Sequence, residues 1–238
     1  MDLKEIDILG KGISKHWYYR SKANAATRML GNVRDATILD VGAGSGFFSR
    51  HLLKHTPAKT AWCVDISYAS DTDDVETGKP IHFRREIGEL HADVVLLMDV
   101  LEHVEDDVGL LRQYVEKVPS GARFLISVPA FQVLWSDHDV FLEHKRRYTV
   151  ARIEHVASRA QLRVVRSSYY FGLVLPLAIL ARLKTSLVNS SKRPAHSQLT
   201  HHSPLTNALL FYACRAELPF FSHNRFGGLT AFCLATKP

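Results

Sequence analysis

The 238-residue sequence predicts an α/β fold, built on a doubly wound, mostly parallel sheet of seven strands with helices ahead of it and an insertion before the last strand. Short β-rich runs alternate with segments of helical spacing, which is typical of parallel βαβ units. The run "ADVVLLMDV" (92–100) is nearly all apolar, as expected for a central strand covered on both faces. A glycine-rich turn directly after the first run suggests a ligand site at the edge of the sheet.

The elements follow one another in a regular order. Strands are predicted at residues 36–42, 60–67, 80–86, 92–100, 121–129, 161–171 and 227–237, and helices at 12–30, 47–55, 105–118 and 150–160. We expect one domain over 1–238, in which 1–33 form an N-terminal helical lid and 171–225 an apolar and flexible insertion. Residues 183–207 are rich in Ser, Pro, Lys and His, which indicates a mobile connection.

Composition excludes some classes of protein and leaves others open. A hydrophobic fraction of 46% excludes a wholly disordered chain, and the net charge of +6 is compatible with an anionic partner or with solubility alone. The three cysteines, Cys63, Cys214 and Cys233, have no disulfide or zinc spacing and are expected to be buried thiols. The start "MDLKEIDILGKG" lacks the features of a secretory signal, so a cytoplasmic location is expected.

The longest apolar run, "YYFGLVLPLAILA" (169–181), is shorter than the ~20 residues that span a bilayer. It leaves three alternatives open: a buried segment, a lid, or a surface that touches a membrane. Membrane association and peripheral membrane contact therefore stay open beside the cytoplasmic location. No nucleic acid is expected as a partner, and both a monomer and a homodimer are compatible with the sequence.

The glycine turn, Gly42-Ala43-Gly44-Ser45-Gly46, distinguishes two kinds of ligand. A dinucleotide fingerprint has its last glycine one position later, where this chain has Phe47. Asp40 stands two positions before the first glycine, and a carboxylate facing the ligand there would repel phosphate and attract an ammonium group. These features disfavour a nicotinamide dinucleotide and favour a phosphate-free ligand that carries an amino acid.

The stretch "LDVGAGSGFFS" resembles the first motif of class I S-adenosylmethionine-dependent methyltransferases. "VVLLMDVLEHVEDD" (94–107) is similar to the fourth-strand segment of their ubiquinone-biosynthesis O-methyltransferase-like branch (types 11, 12 and 23). The resemblance implies a Rossmann-like methyltransferase fold with S-adenosylmethionine as donor and S-adenosylhomocysteine as product. It implies cofactor contacts at Asp40, Gly42, Ala43, Gly44, Gly46, Phe47, Asp65, Ile66, Glu86, Met98 and Asp99, with Asp65 accepting hydrogen bonds from the ribose hydroxyls.

The N-terminal stretch "HWYYRSK" resembles an aromatic-rich opening found in a subset of these enzymes. The resemblance implies that Trp17 and Arg20 close over the cofactor, with Arg20 pairing with its carboxylate. An amphipathic helix packed on the sheet is the alternative interpretation of the same stretch.

The loop after the fifth strand is the expected acceptor site, because ligands of open parallel sheets bind at the carboxyl ends of the strands. Its end, "HKRRYT", resembles a segment of bacterial methyltransferases. Arg146, Arg147 and Tyr148 are predicted to bind an anionic acceptor, whereas pairing of the two arginines with acids such as Asp137, Asp139 and Glu143 is the alternative.

Three histidines are candidates for a catalytic base, namely His103, His138 and His144, because imidazole titrates near neutral pH. A structural role in local hydrogen-bonded pairs remains open for each. No set of His, Cys, Asp or Glu has metal-ligand spacing, so no metal is expected.

The sequence thus predicts an S-adenosylmethionine-dependent methyltransferase that acts on a small-molecule or a lipid- or sugar-linked acceptor, at oxygen. Two alternatives are retained: a catalytically inactive S-adenosylmethionine-binding regulatory protein, and a nicotinamide-dependent oxidoreductase, which Phe47 and Asp40 disfavour.

Overall fold

A computed structural model describes residues 10–188 and 202–238, apart from the side chains of residues 11, 181 and 183–188. The sheet has eight strands in the order β3-β4-β2-β1-β5-β6-β8-β7. The strands are β1 Thr37–Val41, β2 Thr60–Val64, β3 Thr72–Glu76, β4 Lys79–Arg84, β5 Val94–Met98, β6 Arg123–Pro129, β7 Arg163–Tyr170 and β8 Thr230–Thr236. The α-helices are α1 Trp17–Leu30, α2 Phe47–His55, α3 Asp107–Glu116, α4 Asp137–Phe141, α5 Val150–Arg159, α6 Leu175–Val188 and α7 Pro204–Glu217.

The doubly wound, mostly parallel architecture is confirmed. The pairs β4–β2, β2–β1, β1–β5 and β5–β6 are parallel. Only β3 and β8 run against their neighbours, β3 beside β4, and β8 between β6 and β7. The fold is therefore an open α/β sheet whose parallel core carries an antiparallel strand at β3 and another at β8.

The prediction of seven strands was one too few, because it missed β3. The sequence of this strand, Thr72–Glu76, is "TDDVE", which lies mostly exposed at the sheet edge and has no apolar alternation that would signal a strand. It pairs with β4 through a two-residue turn in which Thr77 and Gly78 both have positive φ, 51° and 79°. Such turns favour hairpins because their twist matches that of the strands.

Two hydrophobic layers cover the sheet. On one face, Ile38, Leu96 and Leu125 pack against α1 and α2. On the other face, Leu39 and Val95 pack against α3 and α5. Successive residues of β1 and β5 therefore enter opposite cores, as the period of two in a strand requires, and this explains why the central strands are nearly all apolar.

The direction of winding reverses at β1, whose two neighbours are β2 and β5. The loops that leave the carboxyl ends of β1 and β5 therefore diverge and leave a crevice between them, where ligands of open α/β sheets bind. The glycine turn follows β1, and Asp99 follows β5 directly.

The insertion between β7 and β8 contains two helices, α6 and α7, although much of it was predicted to be flexible. The predicted mobile stretch 183–207 overlaps both helices, and its residues 189–201 lie outside the described part of the chain. Helix α7 packs against α1, and the side chain of Asn207 fixes this contact by accepting from the backbone N–H of Trp17 at 2.8 Å. The N-terminal helix α1 and helix α7 of the insertion are therefore packed together as one unit beside the sheet.

Among the glycines between β7 and β8, Gly228 lies closest to another backbone segment. A Cβ at this position would lie 2.2 Å from the carbonyl oxygen of Tyr170. We expect Gly228→Ala to lower the free energy of unfolding, measured by urea denaturation, by about 1–3 kcal/mol, the usual cost of overpacking. Gly88→Ala is the control because a Cβ there meets nothing within 4 Å. An unchanged unfolding midpoint for Gly228→Ala would contradict the close approach.

Candidate functional site

The glycine turn leaves β1 with a backbone that side chains would obstruct. Gly42 and Gly46 have positive φ values of 64° and 70°. A Cβ at Gly42 would lie 2.8 Å from the Cγ2 atom of Val100, and a Cβ at Gly46 would lie 3.0 Å from the Phe83 ring. The turn therefore needs glycine both for its left-handed backbone and for the close approach of neighbouring elements. Phe47 then begins α2, half-buried against Tyr19.

The carboxylate of Asp40 does not face the ligand site, although the sequence had predicted that it would. The residue is 1% exposed, and its carboxylate accepts a hydrogen bond from Ser49 Oγ at 2.8 Å. Burial raises the pKa of Asp40 to about 6, although the hydrogen bond from Ser49 acts in the opposite direction. Asp40 thus ties β1 to α2 beneath the turn and contributes no charge to the open edge.

Asp65 lies at the end of β2, next to the glycine turn. Its carboxylate accepts from the Gly44 N–H at 3.0 Å and from the Ser67 N–H at 3.0 Å. The neighbouring Ile66 is 85% exposed, and Glu86 is exposed in the loop after β4. These three predicted cofactor residues therefore lie in loops at the carboxyl ends of adjacent strands.

Asp99 has a strained backbone at the end of β5. Its φ is 58°, which is unusual for a residue other than glycine and is often associated with functional sites. Its carboxylate pairs with the ammonium group of Lys22, which also donates to the Tyr18 hydroxyl at 3.1 Å. Burial lowers the pKa of Lys22, but the charges and hydrogen bonds of Asp99 and Tyr18 together outweigh this effect and hold the pKa above its ordinary value.

Lys22 is a site residue that the sequence analysis missed. It is fully buried, and it lies one helical turn after Tyr18 on the same face of α1. A lysine inside the alanine-rich helix "WYYRSKANAATRML" was the available signal, since lysine is seldom buried without a charged partner.

Two predicted cofactor residues do not reach this part of the site. The Arg20 guanidinium stacks on the Phe211 ring at 3.8 Å and lines a separate depression with His51 and Glu76. Helix periodicity explains this difference, because Arg20 lies two residues from Tyr18 and so projects from another face of α1. The side chain of Met98 is 1% exposed in the hydrophobic core, so only its backbone borders the crevice.

A cavity of about 190 Å³ adjoins Asp99 at the carboxyl edge of the sheet. It is lined by aromatic, acidic, histidine and arginine side chains from α1, the β5 and β6 loops, α6 and β8. The lining residues are Trp17, Tyr18, Asp99, Glu102, His103, Pro129, His138, Leu142, His144, Arg147, Ala178, Arg182, Leu229 and Thr230. All three candidate histidines and Trp17 therefore meet at one cavity.

The buried carboxylate of Asp139 organises one wall of this cavity. It accepts from Arg147 Nε at 2.7 Å, from Arg147 Nη2 at 3.0 Å and from His144 Nδ1 at 2.9 Å. Ser136 adds its backbone N–H and closes a capping box at the start of α4. Burial raises the pKa of Asp139, but the hydrogen bonds from His144 and Arg147 outweigh it and hold the pKa well below its ordinary value.

An ionised Asp139 determines the state of two neighbours. A carboxylate can only accept, so Nδ1 of His144 carries a proton and Nε2 is the nitrogen left to face a ligand. Both ends of the Arg147 guanidinium are used, because Nη1 donates to the Ala130 carbonyl at 3.0 Å. Arg147 lines the cavity but is held by Asp139, as the alternative interpretation of the sequence proposed.

Arg146 and Tyr148 were predicted to bind the acceptor, but their side chains are engaged elsewhere. Arg146 pairs with Asp107 and Glu105 and does not line the cavity. Tyr148 is fully buried, and its hydroxyl donates to Asp107 Oδ2 at 2.8 Å. These side chains fasten the loop after β6 to the start of α3, so neither can bind an acceptor in this arrangement.

Glu102 lies in the wall beside His103 and His144. It is fully buried, and neither carboxylate oxygen has a hydrogen-bond partner within the described structure. Burial and the neighbouring charge of Asp99 raise its pKa well above the ordinary value. Ligand atoms of Glu102, His103 and His144 lie within 4.8 Å of one another, so these residues could hold a metal ion. Sequence spacing did not predict this group, because His144 is distant along the chain.

Most of the chain matches a known family. A family model described as "Methyltransferase domain" matches residues 15–167, which is more than half of the chain. The ubiquinone biosynthesis O-methyltransferase of Yersinia pestis (strain Pestoides F) is 26% identical over 132 residues. That alignment covers 51% of this chain and 54% of the relative, so the chain spans about half the length of the curated relatives it matches.

Solved structures of methyltransferases share the fold. A Haloferax volcanii methyltransferase, solved in complex with the Trm112 methyltransferase activator, is 17% identical with a TM-score of 0.58, covering 96% of this chain and 93% of that one. Phosphoethanolamine N-methyltransferase 2 of Haemonchus contortus, in complex with S-adenosyl-L-methionine, is 13% identical with a TM-score of 0.57, covering 100% of this chain and 60% of that one.

The family match decides against the oxidoreductase alternative and agrees with the glycine turn, the strand order and the crevice at β1 and β5. The chain belongs to the family whose model is described as "Methyltransferase domain", and it shares the fold of solved methyltransferases.

Proposed function

We propose that the chain methylates a hydroxyl oxygen of a small-molecule or lipid- or sugar-linked acceptor held in the cavity beside Asp99. The observation that carries this proposal is the position of the cavity. One side is bordered by Asp99, which follows β5 next to the glycine turn of β1, and the other by His103, His138 and His144. A donor in the crevice and an acceptor in the cavity would therefore be neighbours.

The donor half offers groups that fit S-adenosylmethionine. The glycine turn carries no side chain that would stand between its backbone and a ligand at Gly42, Gly44 and Gly46, and Asp65 provides a carboxylate for the ribose hydroxyls. Ile66 exposes an apolar side chain beside it, which suits an adenine ring. Asp99 and Lys22 form a pair of opposite charges, which suits a ligand end that carries both an ammonium and a carboxylate group.

Methyl transfer asks the protein chiefly to hold two reactants in line, an effect that can supply ~7–11 kcal/mol. When bound, S-adenosylmethionine supplies an electrophilic methyl group and leaves as S-adenosylhomocysteine. In the proposal, His144 accepts the acceptor's hydroxyl proton on Nε2, and Asp139 stabilises the resulting imidazolium through Nδ1. The matched Yersinia relatives are O-methyltransferases by name, which supports oxygen as the methylated atom.

The surface of α6 supports an acceptor with an apolar portion. Ala178 and Arg182 of this helix line the cavity, whereas Leu177 and Leu180 are 58% and 56% exposed. Leu173, just before the helix, is also exposed. The apolar surface of Leu173, Leu177 and Leu180 thus adjoins the cavity on the outside, where it could receive a lipid tail or a bilayer. No helix among the described residues is long and apolar enough to cross a membrane.

Replacement of Asp65 tests the donor half. We expect Asp65→Ala to weaken binding of S-adenosylhomocysteine by about 1–3 kcal/mol, because charged hydrogen bonds are lost. Isothermal titration calorimetry measures the Kd, with a thermal melt to verify folding. Glu89→Ala, at an exposed acidic residue, should bind like the wild type. An unchanged Kd for Asp65→Ala would remove Asp65 from the donor site.

Replacement of His144 tests the catalytic base. With labelled S-adenosylmethionine and a host metabolite and lipid extract, His144→Asn should reduce methyl transfer by about 10²–10⁴-fold, the usual contribution of a general base. Affinity for S-adenosylhomocysteine should stay unchanged. His155→Asn, at an exposed histidine of α5, is the matched control.

Full activity of His144→Asn would contradict the role of His144 as base. Activity that EDTA abolishes and a divalent ion restores would instead assign His144 to a metal site with Glu102 and His103. Absence of methyl transfer by the wild type, with intact cofactor binding, would favour the inactive regulatory alternative.

Vesicle binding tests the apolar surface. The wild type should co-sediment with vesicles of equal parts phosphatidylglycerol and phosphatidylcholine, and the double variant Leu177→Asp, Leu180→Asp should remain in the supernatant because charged side chains resist entry into apolar surroundings. Val75→Asp changes an exposed apolar residue of β3 and should sediment like the wild type. Equal sedimentation of all three proteins would contradict a membrane contact at α6.

A further inference from the structure

Arg182 brings a positive charge into the cavity, and no acid among the described residues forms an ion pair with it. The residue lies one helical turn after Ala178, and both line the cavity from α6. The Nε and Nη1 atoms of its guanidinium are buried and have no hydrogen-bond partner in the described structure. Buried guanidinium donors without partners are costly, and a ligand that accepts from them would remove this cost.

The other cations beside the cavity are already paired with acids. Lys22 is paired with Asp99, and Arg147 is paired with Asp139. Glu102 lies in the same wall, but neither of its carboxylate oxygens has a hydrogen-bond partner in the described structure, so it does not pair with Arg182. Among these three cations, Arg182 is therefore the one without a paired acid. Its pKa is lowered to about 10 by burial and by the neighbouring charge of Arg147, with Asp139 acting in the opposite direction, so it stays protonated at neutral pH.

We propose that Arg182 binds an anionic group of the acceptor, a carboxylate or a phosphate. A guanidinium presents its donors in a planar fork that matches two oxygens of either group. This inference deepens the proposed function, on which it rests, by giving the acceptor a negative charge at the α6 side of the cavity. It also moves the anion site from "HKRRYT", where the sequence placed it, to the insertion.

The position of Arg182 in the cavity indicates what a bound anionic group would do. Arg182 and the three histidines line the same cavity of about 190 Å³, a volume suited to a ligand portion about the size of one ring. An anion anchored on Arg182 would fix one end of such a portion, so that another end could face His144 and the donor side at Asp99. Arg182 would then act as a specificity-determining residue rather than as a group that takes part in proton transfer.

Binding of small probes tests this site without knowledge of the true acceptor. Benzoate and phenyl phosphate carry the two candidate anions, and benzamide is the neutral analogue of benzoate. We expect saturable binding of at least one anion to the wild-type protein by calorimetry, at least tenfold tighter than that of benzamide. Arg182→Gln should weaken anion binding at least tenfold, whereas Arg28→Gln, at an exposed arginine of α1, should leave it unchanged.

The two anions distinguish the sources of negative charge. Tighter binding of phenyl phosphate would indicate a phosphorylated acceptor, tighter binding of benzoate a carboxylated one, and equal binding would support the shared anion site. No saturable binding of either anion up to about 10 mM, or equal binding by wild type and Arg182→Gln, would overturn the proposal. Titration of Arg182→Gln with S-adenosylhomocysteine separates this inference from the donor site, because its Kd should match the wild type.

Discussion

The buried carboxylate of Asp139 is the interaction on which the acceptor half of the molecule depends. It gathers Arg147, His144 and Ser136 into one network and so gives a fixed shape to a loop whose sequence has no regular period. A buried ion pair contributes little net stability when desolvation is counted, but breaking it leaves an uncompensated buried charge and is costly. The network therefore determines the conformation of the loop more than it stabilises the domain. The orientation of His144 toward the cavity follows from it.

The two halves of the proposed site have different supports. The proposed donor half consists of loops that leave β1, β2 and β5, strands packed between two hydrophobic layers. The proposed acceptor half is assembled from α1, the loop after β6, α6 and the start of β8. In this proposal the sheet supplies the part of the site that recognises the donor. The insertion supplies Arg182 and Ala178, so a change in this segment could alter the acceptor without disturbing the donor site.

Buried ionisable groups accumulate at the junction between these halves. Asp40 and Glu102 both have raised pKa values because burial disfavours their charged forms, whereas Lys22 stays charged because Asp99 faces it. Proteins rarely retain such groups in a core without a compensating role, and shifted pKa values cluster at functional sites. The strained φ of Asp99 lies at the same place. The strained backbone and the buried ionisable groups therefore lie in the same place, between the proposed donor and acceptor sites.

Several features could be predicted from the sequence because they depend on local patterns. The alternation of strands and helices, the apolar β5 and the glycine turn follow from residue periodicity and from the φ values that only glycine adopts freely. The sequence named the three histidines separately as candidates for a catalytic base, and the structure brings them to one cavity. The hairpin strand β3 was missed because its exposed residues carry no apolar signal.

What the sequence determined by itself is the class of fold and the edge of the sheet at which ligands bind, because both follow from local periodicity and from the direction of parallel strands. Only the tertiary structure decided which charges pair with one another. Arg146 found an acid from another segment, Asp40 turned toward Ser49, and Lys22 met Asp99, a residue 77 positions away. The buried Nε and Nη1 atoms of Arg182 were left without a hydrogen-bond partner in the described part of the chain. Pairing of this kind depends on distances through space, on burial and on which groups are already paired with others. None of these can be read from the spacing of residues along the chain.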